Sequence, residues 1–241
     1  ALDITAAYGG ETKQVKADSD NITIGFSGAA RNEKSLDLMF VVDTTGSMSD
    51  ELSYLQKELE NVVRTVEQSN ANLPTRVSVN FYRDEGDEYV VRPFDFTSDL
   101  SKAVNDISAQ WSDGGGDYEE AVEQALDNAI NQHDWAENST KIMFMVLDAP
   151  PHNTAEIAAK MNTLTQQAAE KGIRIVPVAS SGVDKNTEYL LRCLSIYTGG
   201  TYTFLTDDSG IGESHLEPTV GDYTVEKLND MLIRIINSYL A

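Results

Sequence analysis

Two segments of the chain combine many apolar residues with little of the polar and apolar alternation that a half-exposed strand shows. They cover residues 36–42 and 141–147, with the sequences Leu-Asp-Leu-Met-Phe-Val-Val and Lys-Ile-Met-Phe-Met-Val-Leu. This pattern is typical of strands that a parallel sheet buries on both faces. Further strands are predicted at 76–82, 173–179 and 201–205, with an edge strand at 89–96.

Segments with helical periodicity lie between these strands. The clearest covers residues 49–69, where Leu52, Leu55 and Leu59 recur at helical spacing. Other helices are predicted at 100–111, 118–132, 155–171, 186–197 and 225–240. Because buried strands alternate with helices, we predict an α/β fold over residues 35–241, a doubly wound, mostly parallel sheet flanked by helices and Rossmann-like in architecture.

Residues 1–34 do not share this pattern. Short strands are predicted at 2–8 and 21–26, joined by a polar segment that contains Gly9 and Gly10. We therefore predict two parts, a small N-terminal β extension over residues 1–34 and the α/β domain over residues 35–241.

The charge of the chain is unusual for its length. Its 241 residues include 39 Asp and Glu residues and only 18 Lys and Arg residues, which gives a formal net charge of −21. Such a surface repels phosphate backbones, which argues against nucleic-acid binding. The single cysteine, Cys193, rules out an intrachain disulfide and a cysteine-based zinc site, and we predict that it is a small buried core residue.

No apolar segment is long enough to cross a bilayer, so we expect no direct membrane insertion by this chain. Because the chain begins at Ala1 rather than Met, we expect that a leader or lipid-anchoring segment has been removed.

Oxygen-bearing side chains follow the two most apolar strands. Asp43, Thr45 and Ser47 come after the first, and Asp148 comes after the second. A glycine-rich loop, Gly114 to Gly116, leads to Asp117 at the predicted start of a helix. Carboxyl ends of parallel strands meet at one sheet edge, where such folds bind ligands. Carboxylate and hydroxyl oxygens suit a hard divalent cation, Mg²⁺ first and Ca²⁺ or Mn²⁺ as alternatives.

The spacing Asp-x-Thr-Gly-Ser, the glycine loop and the third-loop acid in Leu-Asp-Ala-Pro-Pro-His resemble the von Willebrand factor type A family, in a branch found in bacterial surface proteins and some eukaryotic proteins. The resemblance implies a metal-ion-dependent adhesion site with Asp43, Thr45, Ser47 and Asp148 as ligands. Where the family usually has a second-loop threonine, this chain has Gly116 and then Asp117, so we predict Asp117 as the substitute ligand. Three direct carboxylates would more than neutralise the ion, which would then recruit acidic partners less strongly.

Other charged residues near these motifs have simpler interpretations. Glu119 and Glu120 are predicted to complement the dipole of the helix that they begin. His152 is interpreted as a loop histidine on a proline-stiffened turn. The acidic run 84–88 is interpreted as a solvated turn that could border the binding face.

The resemblance favours a binding domain, not an enzyme, that recognises a protein partner or adheres through the ion. It also favours an extracellular or cell-surface setting, while an intracellular location stays open. One alternative is a haloacid-dehalogenase-like, Mg²⁺-dependent phosphatase with Asp43 as nucleophile. It is weaker because Lys141 begins its strand, at the wrong edge, and Asp148 is not followed by a second acid. Another is a structural domain whose metal only ties loops together.

Overall fold

The computed structural model describes residues 2–8, 11–17, 24, 35–70, 73–206, 211 and 224–241. These residues belong to two compact units, Ala1–Glu33 and Lys34–Ala241. In the first unit, β1 (Leu2–Tyr8) pairs antiparallel with β2 (Glu11–Ala17). The sequence predicted β1 but interpreted the second of these segments as a polar connection, because it carries almost no apolar pattern. The strand predicted at 21–26 lies, apart from Ile24, outside the described residues.

The second unit is built on a six-stranded sheet in the order β5-β4-β3-β6-β7-β8. Its strands are β3 (Ser35–Asp43), β4 (Thr75–Tyr82), β5 (Val91–Arg92), β6 (Ser139–Leu147), β7 (Ile173–Ala179) and β8 (Thr203–Phe204). Neighbouring strands are parallel except β5, which pairs antiparallel with β4 at the edge. This confirms the predicted doubly wound, mostly parallel sheet, and it places the two most apolar strands, β3 and β6, side by side in its centre.

Helices cover both faces of this sheet. They are α1 (Ser49–Ser69), α2 (Leu100–Ser108), α3 (Val122–Asn131), α4 (Ala155–Glu170), α5 (Lys185–Thr198) and α6 (Leu228–Leu240). Side chains from α1, α2 and α6 share one core with Leu38 and Phe40 of β3, whereas α3, α4 and α5 share the other with Met39 and Val41. Alternate residues of the buried strand therefore serve opposite cores. No helix in the described ranges is long and apolar enough to cross a membrane.

Aromatic packing joins the two central strands. The Phe40 and Phe144 rings stack with centroids 5.3 Å apart, and both side chains are almost fully buried. Burial of each such side chain stabilises the fold by roughly 1.5–3 kcal/mol relative to exposure. Since these rings lie on neighbouring parallel strands, they fix the register that brings the carboxyl ends of β3 and β6 together.

The segment before α3 differs most from the prediction. The helix begins at Val122 instead of residue 118, and the residues before it form an extended loop. Gly114 and Gly115 have φ values of +80° and +76°, a left-handed conformation that a helix cannot contain and that glycine adopts without steric cost. The Glu120 backbone then forms an isolated parallel bridge with Pro151, which holds this loop against the one that follows β6.

Candidate metal centre

The loop after β3 presents one free carboxylate oxygen. Asp43 is the last residue of β3 and is fully buried. Its Oδ1 accepts hydrogen bonds from the Thr45 backbone N–H at 2.9 Å and from the Thr45 hydroxyl at 2.8 Å. Its Oδ2 is buried without a hydrogen-bond partner among the residues described. Burial, and then the charge of Asp148, raise the pKa of Asp43 to about 7.

The loop after β6 brings the second carboxylate. Asp148 follows the last residue of β6 and is 6% exposed. Burial raises its pKa, and a hydrogen bond from the Ser47 side chain partly offsets that shift. Ser47 lies in the short 3-10 turn Gly46–Met48 that leads into α1. The pairing of β3 with β6 therefore brings Asp43, Ser47 and Asp148 together, as the sequence predicted that neighbouring strand ends would do.

A third buried carboxylate comes from Glu120. Its backbone N–H donates to the Pro150 carbonyl at 2.9 Å, and the residue is 3% exposed. Burial, then Asp43, Asp84 and Asp148, raise its pKa to about 9. The prediction that Glu120 lies at the start of a helix is wrong, because α3 begins two residues later. The one available signal was that apolar helical spacing begins only at Val122.

The glycine-rich loop lies directly across the loop that carries Asp43. The Gly46 N–H donates to the Gly114 carbonyl at 3.2 Å, and the Gly115 N–H donates to Asp87 Oδ2 at 3.0 Å. A Cβ added at Gly115 would lie 2.9 Å from Glu120 Oε1 and 3.1 Å from the Thr45 Cβ. The absence of a side chain at Gly115 is therefore what allows Thr45 and Glu120 to approach this backbone.

Two more groups add to the concentration of acids at this edge. Glu51, in the first turn of α1, is 1% exposed, and its carboxyl lies close to the Ser181 side chain. Burial raises the pKa of Glu51 to about 7, with a contribution from Asp148. Burial and the Asp43, Asp148 and Glu120 carboxylates also raise the pKa of the Tyr82 hydroxyl well above its usual value.

These shifts have one physical origin. Asp43, Glu120 and Asp148 are buried, and each carboxylate disfavours ionisation of its neighbours. They cannot all be charged in an apolar environment unless a positive charge compensates them. A hard divalent cation, which prefers carboxylate and hydroxyl oxygens, has the charge and ligand preference that this group of side chains requires.

Asp117 lies in a different group of side chains. It is exposed, and one of its carboxylate oxygens lies within 4.8 Å of ligand atoms on Asp84 and His152. Asp84 is only 7% exposed, which makes the interpretation of residue 84 as part of a solvated turn wrong. Asp43, Ser47 and Asp148 therefore form one group, and Asp117 belongs to a neighbouring group with Asp84 and His152.

A cavity of about 670 Å³ opens beside the loop that follows Asp148. Its polar wall includes Tyr118, His152 and Asp184, and its apolar wall includes Ile157 and Met161 of α4. Cys193 of α5 also lines it and is partly exposed, so the prediction of a fully buried core cysteine is wrong. The cavity gives this edge of the sheet a concave surface next to the acidic centre.

Comparison with known proteins agrees with this fold. Residues 37–211 match the profile of the family described as von Willebrand factor A domain. The chain belongs to the von Willebrand factor A family. The match includes Asp43, Ser47, the glycine-rich loop, Glu120 and Asp148, and it leaves out β1, β2 and α6.

Two longer proteins share part of this domain. A protein named as an ariadne-like RING finger protein, from Acanthamoeba polyphaga mimivirus, is 31% identical over 137 residues, which are 55% of this chain and 13% of that protein. The alpha-protein kinase vwkA of Dictyostelium discoideum is 26% identical over 143 residues, which are 59% of this chain and 23% of the kinase. The chain therefore spans less than a quarter of the length of either relative.

Among solved structures, BatB, a conserved hypothetical protein from Bacteroides thetaiotaomicron, is similar to the chain with a TM-score of 0.61. The likeness covers 86% of this chain and 99% of BatB at 12% sequence identity. At this identity it shows the shared fold alone.

Proposed function

We propose that this von Willebrand factor A domain binds a divalent cation at the carboxyl edge of its sheet and recognises a protein partner through the surface around that ion. The observation that carries the proposal is the meeting of Asp43, Glu120 and Asp148, three carboxylates from three loops, in one buried region. Burying three ionised carboxylates together costs free energy unless a cation compensates their charge. Divalent cations in proteins are commonly bound by such carboxylates.

The ligand set follows from which atoms remain available. Neither Asp43 Oδ2 nor Glu120 Oε2 has a hydrogen-bond partner in the described ranges. Ser47 and Asp148 already interact, so a hydroxyl and a carboxylate lie ready on the first and third loops. Thr45 either contributes its own hydroxyl or orients Asp43 by donating to its other oxygen.

Glu120 takes the second-loop position in this proposal, in place of Asp117. It is buried and the charges of Asp43 and Asp148 raise its pKa, whereas Asp117 is exposed and grouped with Asp84 and His152. With Asp43, Glu120 and Asp148 ionised, the ligands carry more negative charge than a divalent ion balances. The ion is then held firmly and attracts an acidic side chain of a partner only weakly.

Recognition of a partner then depends on more than the ion. The cavity beside His152 and Tyr118 supplies a concave surface with apolar walls next to the centre. Binding sites commonly combine such a surface with a few fixed polar groups. We place the domain in an extracellular or cell-surface setting, and we carry over neither the kinase nor the RING finger activity of the longer relatives.

The lysine considered for the phosphatase alternative, Lys141, does not lie near Asp148. Lys141 lies near the amino end of β6, and its Nζ donates to the Lys171 carbonyl at 2.8 Å. It therefore lies at the opposite end of the strand from Asp148, and this placement favours binding over phosphoryl transfer.

The experiment that tests the proposal separates metal binding from recognition. Calorimetric titration with Mg²⁺ should give one high-affinity site in the native protein and none in Asp148→Asn. Partners are then captured by cross-linking from a cell-surface extract of the source organism, and the captured proteins are compared with and without chelator. A partner captured by the native protein but lost with chelator and in Asp148→Asn supports the proposal. Capture that is unaffected by both would assign the ion a purely structural role.

A further inference from the structure

A second group of potential metal ligands lies outside the buried carboxylate centre. Asp84, Asp117 and His152 each offer one ligand atom, and these atoms all lie within 4.8 Å of one another. The His152 Nε2 and Asp84 Oδ1 atoms are 3.6 Å apart. The three residues come from three loops, after β4, before α3 and after β6.

An independent observation on Asp84 points to a missing ligand. The Asp84 side chain is only 10% exposed. Its Oδ1 is buried and has no hydrogen-bond partner in the part of the chain that the structure describes. The backbone at this position is fixed, since the Asp84 N–H donates to Asp87 Oδ2 at 3.1 Å. A buried carboxylate oxygen that is held in place and faces an imidazole is ready to bind a positive ion.

We propose that Asp84, Asp117 and His152 form a second cation site, selective for a transition ion such as Zn²⁺, Co²⁺ or Mn²⁺. An imidazole nitrogen with two carboxylates is a common ligand set for these ions, whereas Mg²⁺ and Ca²⁺ prefer oxygen ligands alone. Three protein ligands leave at least one coordination position for water or for a group of the partner.

The spacing of the ligand atoms suits this assignment. Around a tetrahedral ion with bonds of about 2.1 Å, ligand atoms lie about 3.4 Å apart. The 3.6 Å separation of His152 Nε2 and Asp84 Oδ1 is already close to this value. Asp117 is exposed, so its side chain can change rotamer and approach the ion without disturbing the core.

The alternative role for this group is a simple ion pair between Asp84 and His152. An ion pair explains their proximity but gives Asp117 no part, and it predicts no metal binding. The site shares no ligand with the Mg²⁺ centre of Asp43, Ser47, Glu120 and Asp148, although it is a neighbour of that centre, since the charge of Asp84 acts on Glu120. The two sites can therefore be tested independently.

Co²⁺ is the probe of choice because its visible absorption reports its ligands and geometry. Untagged protein is saturated with Mg²⁺ and titrated with Co²⁺. We expect one equivalent to bind with a new absorption band, and His152→Asn to weaken binding at least tenfold and change the band. Asp117→Asn should also weaken binding. Glu119→Gln, which removes a negative charge from the same loop, is the matched control and should leave the titration unchanged.

The centre that holds Mg²⁺ is distinguished by Asp43→Asn. This variant should lose Mg²⁺ binding and keep the Co²⁺ site, so failure of the proposed function leaves this inference standing. Equal Co²⁺ affinity and an unchanged spectrum in His152→Asn and Asp117→Asn would overturn it. Loss of the Co²⁺ equivalent in Asp43→Asn alone would overturn it as well. Since Asp117 is exposed, its variant is expected to fold, which thermal unfolding followed by circular dichroism verifies.

Discussion

Thr45 donates both its backbone N–H and its hydroxyl to a single oxygen of Asp43, at 2.9 and 2.8 Å. The other oxygen of Asp43 is buried and has no partner in the described residues. One oxygen thus fixes the orientation of the carboxylate, and the other remains available for a ligand. The two residues between β3 and the 3-10 turn, Thr44 and Thr45, are enough to produce this division of roles.

We predict that Thr45→Val lowers Mg²⁺ affinity by about tenfold or more. Valine has nearly the same shape as threonine but lacks the hydroxyl, and hydrogen bonds to charged groups contribute roughly 1.5–3 kcal/mol. Thr45→Ser keeps the hydroxyl and is the matched control, with affinity expected within a few-fold of the native value. Calorimetry measures both, and equal Mg²⁺ affinities for the two variants would show that the hydroxyl has no role in the site.

Glu120→Gln and Asp117→Asn are expected to differ sharply in their effect on Mg²⁺ binding. Glu120 is buried beside Asp43 and Asp148, so removing its charge should weaken the site at least tenfold. Asp117 is exposed and grouped with Asp84 and His152, so its variant should stay within about twofold. Calorimetric titration of both proteins with Mg²⁺ provides the measurement. The reverse order of effects would restore Asp117 as the second-loop ligand.

The difference between these two acids shows where sequence information ends. The buried strands and α1 were predictable because apolar periodicity follows directly from burial, and the structure confirms helix α1 at Ser49–Ser69. Asp117 and Glu120 are three residues apart in one loop, and which of them points inward depends on φ at Gly114 and Gly115 and on the bridge between Glu120 and Pro151. A conformation set by contacts with another loop leaves no periodic pattern in the sequence.

The burial of Glu51 and Asp84 could not be predicted from the sequence for a similar reason. An acid in the first turn of a helix usually complements the helix dipole, and an acidic turn is usually solvated. Here α1 begins at the sheet edge and the turn after β4 lies against the glycine-rich loop, so both side chains are buried. The resemblance to a family predicted an ion site at this edge of the sheet, while the burial of Glu51 and Asp84 became apparent only in the tertiary structure.

The pH dependence of stability without metal should be opposite to that of a protein with salt-bridged acids. The folded-state pKa values of Asp43 and Glu51 are raised to about 7, and that of Glu120 to about 9. The folded protein therefore binds more protons than the unfolded chain at intermediate pH, and the free energy of unfolding falls as pH rises. We expect the loss to begin above the usual carboxyl pKa and to continue to about pH 9.

Thermal unfolding in chelator at pH 5, 7 and 9 measures this dependence. Saturating Mg²⁺ should raise the Tm most at the higher pH values, because it then compensates ionised carboxylates. Glu120→Gln should flatten the profile in chelator, since one group with a raised pKa is removed. A Tm in chelator that rises from pH 5 to 9 would contradict the prediction.

Gly115→Ala is predicted to damage both stability and the metal site. The added Cβ would lie 2.9 Å from Glu120 Oε1 and 3.1 Å from the Thr45 Cβ, at a φ of +76°. Left-handed backbone costs a non-glycine residue about 1–2 kcal/mol, and the displaced Glu120 should weaken Mg²⁺ binding further. Gly116→Ala is the control, because nothing lies within 4 Å of its Cβ position. Equal Mg²⁺ affinities in the two variants would show that this close approach is unimportant.

A buried ion pair at the opposite edge of the sheet should contribute to stability without affecting the metal. Asp37 is fully buried, and its two oxygens accept from Arg76 Nε at 2.9 Å and Nη2 at 2.7 Å. Its Oδ2 also accepts from the Ala136 N–H and the Ser139 hydroxyl. We expect Asp37→Asn to lower the free energy of unfolding in urea by about 2–4 kcal/mol, because several donors lose a charged acceptor that water cannot replace.

The exposed pair of Glu60 with Arg64 on α1 supplies the matched control. Their side chains are 48% and 54% exposed, and Glu60→Gln should change stability by less than about 0.5 kcal/mol. Both variants should bind Mg²⁺ like the native protein, because Asp37 lies near the start of β3 and Asp43 lies at its other end. A loss of Mg²⁺ affinity in Asp37→Asn, measured under conditions where the variant is fully folded, would mean that the two ends of β3 are coupled. Equal stability losses in the two variants would mean that the burial of Asp37 contributes nothing.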